Sequence, residues 1–168
     1  MELQETKKVL NDFAKYVIQQ ARSNLTKDKK NFNKKLYNSL SFTPPLIDNT
    51  GIIIQFVMED YGVYQDEGVK GKDPSQVSPN AKIKGQQAPN SRFRFGSGTS
   101  RGTFDKFAKR MSLFAKAKNI RFRQSRGRFA KGGYDAMGYV IAKNIYSRGI
   151  KPSLFFTKPF EKRFETLP

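Results

Sequence analysis

The sequence predicts an α+β fold: a small β-hairpin or sheet packed on a long N-terminal helix and further helices, with a long basic insertion. Three observations predict it. Residues 3–26 place apolar side chains mostly at three- and four-residue steps, the period of a helix with one buried face. Residues 41–58 hold two extended apolar runs on either side of a strong turn signal. Residues 68–133 lose periodic apolar patterning over their first half and gain charge throughout. The length, 168 residues, suits a single domain, with 1–67 and 134–168 as a core body and 68–133 as a basic insertion or arm.

Val9, Leu10, Phe13, Tyr16, Val17, Ala21 and Leu25 form the inner face of the first helix. Asn31 to Ser39 predicts a second, shorter helix with Leu36 and Leu40 inward. Ser41 to Ile47 reads as extended, and Pro44-Pro45, which lack N–H groups, confine it to an edge or a bulge. Asp48-Asn49-Thr50-Gly51 is the turn, and Ile52 to Met58, rich in β-branched residues, is the second strand. Glu59 to Gly68 suits a short helix stopped by Gly68. From Gly68 to Thr103 the chain is dominated by Gly, Pro, Ser, Asn and Gln, which predicts an insertion, a long arm or an extended hairpin. Thr103 to Lys118 is a helix capped by Thr103, with Phe104, Phe107, Ala108, Met111, Phe114 and Ala115 on one face. Tyr134 to Ser147 is another, with Met137, Val140, Ile141 and Ile145 inward and Gly149 as its stop. A short extended piece, Ser153 to Thr157, precedes a last helix opened by Pro159 and holding Phe160 and Phe164.

Composition narrows the function classes. Leu, Ile, Val and Phe make up 41 residues, roughly 24%, above the level of disordered chains, so a core can form despite a net charge of +18. His, Cys and Trp are absent. That excludes zinc sites built on N/S ligands, thiol nucleophiles, Ser-His-Asp triads and disulfides. The polar, helix-patterned start predicts no signal peptide, and Ile52 to Met58, the longest apolar stretch, is far too short to span a bilayer.

The charge is unevenly placed. Residues 1–67 hold nine Lys/Arg and nine Asp/Glu; residues 68–133 hold seventeen Lys/Arg against Asp73 and Asp105 alone. Residues 134–168 are net +3. Within the basic stretch, Arg92, Phe93, Arg94 and Phe95 alternate, as do Arg121, Phe122 and Arg123, followed by Arg126, Arg128, Phe129 and Lys131. An extended strand would put the Arg side chains on one face and the Phe rings on the other. Such a strip suits nucleic acid, with Arg on phosphates and Phe stacked on bases. It suits better an arm lying on an acidic neighbouring subunit, with Phe as anchors, and a solvated loop is the remaining reading. These eleven residues are the candidate contacts.

No residue is nominated as catalytic, metal-binding or cofactor-binding. Gly96 to Gly102 and Lys70-Gly71-Lys72-Asp73 both miss the Gly-Lys-Ser/Thr ending of a nucleotide-phosphate loop. Glu59-Asp60 and Asp66-Glu67 are adjacent acid pairs with no third acid and Lys partner of the kind a metal-dependent nuclease uses, and predict a surface or interface role.

Three segments, Leu36 to Phe42 (LYNSLSF), Met58 to Lys72 (MEDYGVYQDEGVKGK) and Lys151 to Phe160 (KPSLFFTKPF), together resemble the tail-completion, or head–tail neck, proteins of tailed bacteriophages. Leu36 and Ser39 match a Leu-x-x-Ser-Ile-type element, with Leu40 for Ile. Tyr61, Tyr64, Asp66 and Gly68 match a Tyr-Ala-x-Tyr-x-Glu-x-Gly stretch, and Pro152, Phe155 and Pro159-Phe160 match a Pro/Phe-rich ending. The sequence departs from that pattern at Asn33-Lys34-Lys35, where a Gly-bearing turn is usual, and in its longer, more basic middle. The resemblance implies a small α+β structural protein of the virion, made in the host cytoplasm. It would form a homo-oligomeric ring in the connector between portal and tail, touch other neck, portal or tail proteins, and have no enzymatic activity and no membrane contact. DNA passing through the ring's channel is a possible further contact, and a free-standing nucleic-acid-binding protein using residues 92–131 is the alternative.

Overall fold

The computed structural model describes residues 2–30, 33–48, 51–98, 102–124, 127–130 and 132–167. The fold is α+β: six helices and three two-stranded antiparallel ladders are present among those residues. The chain forms two compact units, unit 1 from Met1–Glu67 with Ser153–Pro168, and unit 2 from Gly68–Pro152.

Unit 1 is built on α1 (Glu2–Lys27). Its apolar stripe, Phe13, Ala14, Val17, Ile18, Ala21 and Leu25, is buried. The lower part of that stripe packs on Leu36 of α2 (Lys35–Ser39), on Leu40 and on Phe155. Phe155 is fully enclosed, and burying a side chain of that size stabilises the unit by roughly 1.5–3 kcal/mol. The predicted hairpin is present but in two ladders. β1 (Ser41–Phe42) pairs with β4 (Phe56–Val57), and β2 (Leu46–Asp48) pairs with β3 (Gly51–Ile53) in the register Leu46 to Ile53. The expected single strand Ile52 to Met58 is thus interrupted. Opposite the interruption stand Pro44 and Pro45, which have no N–H to donate to a ladder. The turn residues Asn49 and Thr50 lie outside the described residues, as do Asn31 and Phe32 at the expected start of the second helix.

α3 (Tyr61–Glu67) ends as predicted at Gly68, whose φ of 76° is the left-handed cap that favours glycine. α6 (Thr157–Phe164) starts two residues before Pro159. Pro159 therefore falls within the first turn, where its missing N–H has no intrahelical partner to lose. The expected extended piece Ser153 to Thr157 is not a strand, since its amides bond instead to α3: Ser153 N–H donates to the Gln65 and Asp66 carbonyls, and Leu154 N–H to Asp66. Phe13, Phe56, Phe156 and Phe160 close this side of the unit through edge contacts, with ring centroids 5.2 Å apart for Phe56 and Phe156.

Unit 2 is an antiparallel helix pair, α4 (Phe104–Ala117) and α5 (Gly133–Arg148). The helices cross where small residues let the backbones approach: Ser112 and Ala115 on α4, Gly138 and Ala142 on α5, all buried. Thr103 caps α4 as predicted, its hydroxyl accepting from Lys106 N–H, and Gly149 stops α5 with φ 91°. β5 (Val69–Lys70) pairs antiparallel with β6 (Gly149–Ile150). Two expectations are corrected here. The helix over 134–147 does not belong to a common body with residues 1–67; it packs on α4, and the boundary falls at 152/153. Residues 68–98 are not a projecting arm. Lys72 and Asp73 N–H donate to the Tyr146 and Ser147 carbonyls, Gln87 N–H to Arg148, and Ser78 N–H to the Asn144 side chain, so the irregular segment is laid along α5.

Candidate functional site

The parts of the three resembling segments that belong to unit 1, residues 36–42, 58–67 and 153–160, meet there. Ser39 closes the first onto the second, its hydroxyl accepting from Glu59 N–H at 3.0 Å. Leu36 lies against Gly62, where a Cβ would collide with the Leu36 and Met58 side chains. Asp66 closes the second onto the third. Its buried carboxylate accepts from Phe156 N–H at 2.8 Å, from Thr157 N–H at 3.3 Å and from the Thr157 hydroxyl. This carboxylate therefore caps α6 from 90 residues away, supplying negative charge where the helix N-terminus presents unpaired donors. Tyr61 and Tyr64 remain largely exposed, and burial raises the Tyr61 hydroxyl pKa above its ordinary value. Gly68 and Pro152 lie in unit 2, so those two matches fall at the boundary.

Comparison with known protein families, with curated proteins and with solved structures yields no match for this chain. Function is therefore argued from its own geometry.

Unit 1 exposes apolar side chains on its hairpin: Leu46 at 61%, Ile53 at 45% and Val57 at 49%. Leu46 and Ile53 are directly paired across β2 and β3, so they form one patch. Elsewhere on the unit, a groove of about 680 Å³ runs between α1 and the α2–β1 segment, with Ile18, Tyr37, Leu40 and Phe42 on its walls and Lys15, Arg22 and Lys27 at its edges. Arg22 is held there by hydrogen bonds to the Tyr37 and Leu40 carbonyls. No helix among the described residues is long and apolar enough to cross a membrane.

The basic-aromatic candidates all lie in unit 2, which carries twenty Lys/Arg and three acids, Asp73, Asp105 and Asp135. They do not form one strip. Phe93 accepts at its carbonyl from Lys70 N–H, Phe95 N–H donates back to Lys70, and Arg94 bridges Lys70. The Phe95 ring is half-buried, stacked with Phe107 at 6.1 Å and packed on Tyr146 at 5.3 Å. It is part of this unit's packing and not an outward anchor. Arg92 lies over Phe93 at 4.7 Å.

The second set builds a small hairpin between α4 and α5. Arg123 bridges Phe129, Ala130 N–H donates to the Phe122 carbonyl, and Gln124 N–H to Arg128. The Arg121 guanidinium lies 3.5 Å from the Phe129 ring centre and 5.1 Å from that of Tyr134, and Arg123 lies 4.8 Å from Phe129. Arg126 and Lys131 lie outside the described residues. Because Phe95 stacks on Phe107, near the start of α4, and this hairpin follows its end, the two sets are separated by about 15 Å of helix.

The acid pairs do separate jobs. Glu59 pairs with Lys35 at 3.1 Å, Asp60 is exposed and Asp66 is buried at α6. Among the described residues no three metal-ligating side chains converge. Two features escaped the sequence reading. Asp66 as a cap was hidden because its helix lies 90 residues away. The outer face of α4, with exposed Lys106, Lys109, Arg110 and Lys116, was legible from its helical spacing opposite the Phe face.

Proposed function

We propose that this chain is a structural, non-enzymatic subunit of a ring in the head–tail connector of a tailed bacteriophage, located in the virion. The observation that carries the reading is the meeting, in unit 1, of parts of all three resembling segments. Residues separated by as many as 91 positions are joined there through Ser39, Asp66 and Thr157.

A ring needs two different complementary patches on each subunit. Unit 1 carries a candidate for each: the apolar Leu46–Ile53 patch and the groove beside α1. The hairpin segment 46–55 holds one charged residue, Asp48, and Lys15, Arg22 and Lys27 are among the residues that line the groove. In this reading the hairpin of one copy enters the groove of the next.

Native mass spectrometry and electron microscopy of the full chain, alone and with the portal and tail proteins encoded beside it, test the proposal. Rings of one symmetry are expected. Leu46→Asp with Ile53→Asp should leave the circular dichroism spectrum unchanged and abolish assembly. A chain that stays monomeric with those partners overturns the proposal; rings that persist in the double variant overturn the choice of interface.

A further inference from the structure

We propose that the outer face of α4 and the hairpin after it bind the phosphodiester backbone of a nucleic acid without reading its sequence. This holds whether unit 1 builds a ring or the chain acts alone. Residues 106–134 contain ten Lys/Arg and no Asp/Glu. Lys106, Lys109, Arg110 and Lys116 are exposed on one side of α4, over a rise of about 15 Å. Arg121, Arg123 and Arg128 follow in sequence, in the hairpin after α4.

Lys116, in the last turn, suits the helix dipole, but the cations of the first half work against the helix that carries them. Lys106 sits in the first turn, where the helix dipole disfavours a cation. Lys106 faces Lys109 and Arg110 at three- and four-residue steps, where like charges repel. Asp105, four residues before Lys109, offsets one of these terms. A cluster that local stability opposes is better explained by a partner.

The chemistry of the face selects that partner. Protein interfaces are depleted of charge at their centre and rich in apolar anchors. The outer face of α4 has one large apolar side chain, Leu113, 69% exposed and ringed by cations. At the hairpin, stacking on Phe129 and Tyr134 fixes the plane of Arg121 while leaving its edge for hydrogen bonding. Its Nε is buried with no hydrogen-bond partner. Arg123 gives one N–H to the Gly127 carbonyl at 3.2 Å and keeps the rest of its fork. A planar, pre-oriented fork matches phosphate oxygens.

The test is fluorescence anisotropy of the full chain with a duplex DNA of mixed sequence across a salt series. Single-stranded DNA, duplex RNA and polyglutamate serve as further probes. With five or six phosphates engaged, log K should fall with log salt at a slope of roughly −4.5 to −5.4. Lys109→Gln, Arg110→Gln and Lys116→Gln together should make that slope shallower by about 2.7. Lys8→Gln, Lys158→Gln and Lys162→Gln remove the same charge from unit 1 and should leave the slope unchanged. Equal losses in the two triple variants would reduce the effect to net charge and overturn the proposal. So would polyglutamate binding as tightly as DNA, which would mark the face as an acidic-protein contact, or a strong preference among duplex sequences. Duplex RNA or single strands binding like DNA supports it.

Discussion

Replacing Asp66 with Ala removes the carboxylate that ties α3 to the start of α6. The side chain is 4% exposed and accepts from Phe156 N–H at 2.8 Å, from Thr157 N–H at 3.3 Å and from the Thr157 hydroxyl. Hydrogen bonds to a charged group contribute roughly 1.5–3 kcal/mol each, and losing a helix cap costs about 0.5–2 kcal/mol. These overlap, because two of the bonds are the cap, and water reaches part of the opened site. The expected loss is therefore about 3 kcal/mol, a large fraction of the roughly 5–15 kcal/mol that holds a domain together. A unit of this size loses roughly 4–8 °C of melting temperature per kcal/mol, so its transition should fall by more than about 10 °C. Scanning calorimetry with amide exchange is the assay, and the Phe156 and Thr157 amides should lose protection first. Asp66→Asn keeps a carbonyl acceptor and should fall between Ala and wild type. A loss below about 1 kcal/mol, or undiminished protection at those two amides, would refute the reasoning.

Two other perturbations probe unit 2. Gly138→Ala in an open helix would stabilise by about 1 kcal/mol, but here the new Cβ meets the Ser112 backbone and hydroxyl, so urea denaturation should show destabilisation of roughly 1–3 kcal/mol. Asp73 accepts from the Ser75 hydroxyl and Ser75 N–H, which hold its carboxyl below its ordinary value of 3.8. A lowered folded-state pKa means that this contribution is complete above the unfolded value and is lost as pH falls through the folded one. The Ser75 amide resonance should titrate with a midpoint below 3.8, and removing the hydroxyl with Ser75→Ala should move the Asp73 midpoint upward.

The helices of both units were legible because their periods are local. The α1 stripe from Phe13 to Leu25, the Thr103 cap and the glycine stops at Gly68 and Gly149 each follow from residues within one or two turns. The interrupted hairpin was legible in part, since Pro44-Pro45 announced a break without saying how the partner strand would respond. Residues 68–103 were not legible. Three of their hydrogen bonds go to the backbone of α5, roughly 60 to 75 positions later, and backbone groups leave no trace in residue identity. The candidate contacts divided for the same reason. Arg121, Arg123 and Phe129 sit close in sequence and did come together, whereas Phe95 was drawn inward by Phe107 and Tyr146.

The sequence by itself determined the class of fold, the periodic helices and the amount of charge, because composition and short-range spacing suffice for those. The sequence also put most of the charge in residues 68–133, but only the tertiary structure decided that this stretch is folded with α5 and not carried as an arm. The α5 helix, nearly neutral and apolar in pattern, pairs with α4 through Gly138 and Ser112 and so gathers the basic stretch into a folded unit of its own. The physical reason is that burial is a property of surfaces that meet, and which surfaces meet depends on contacts across the whole chain.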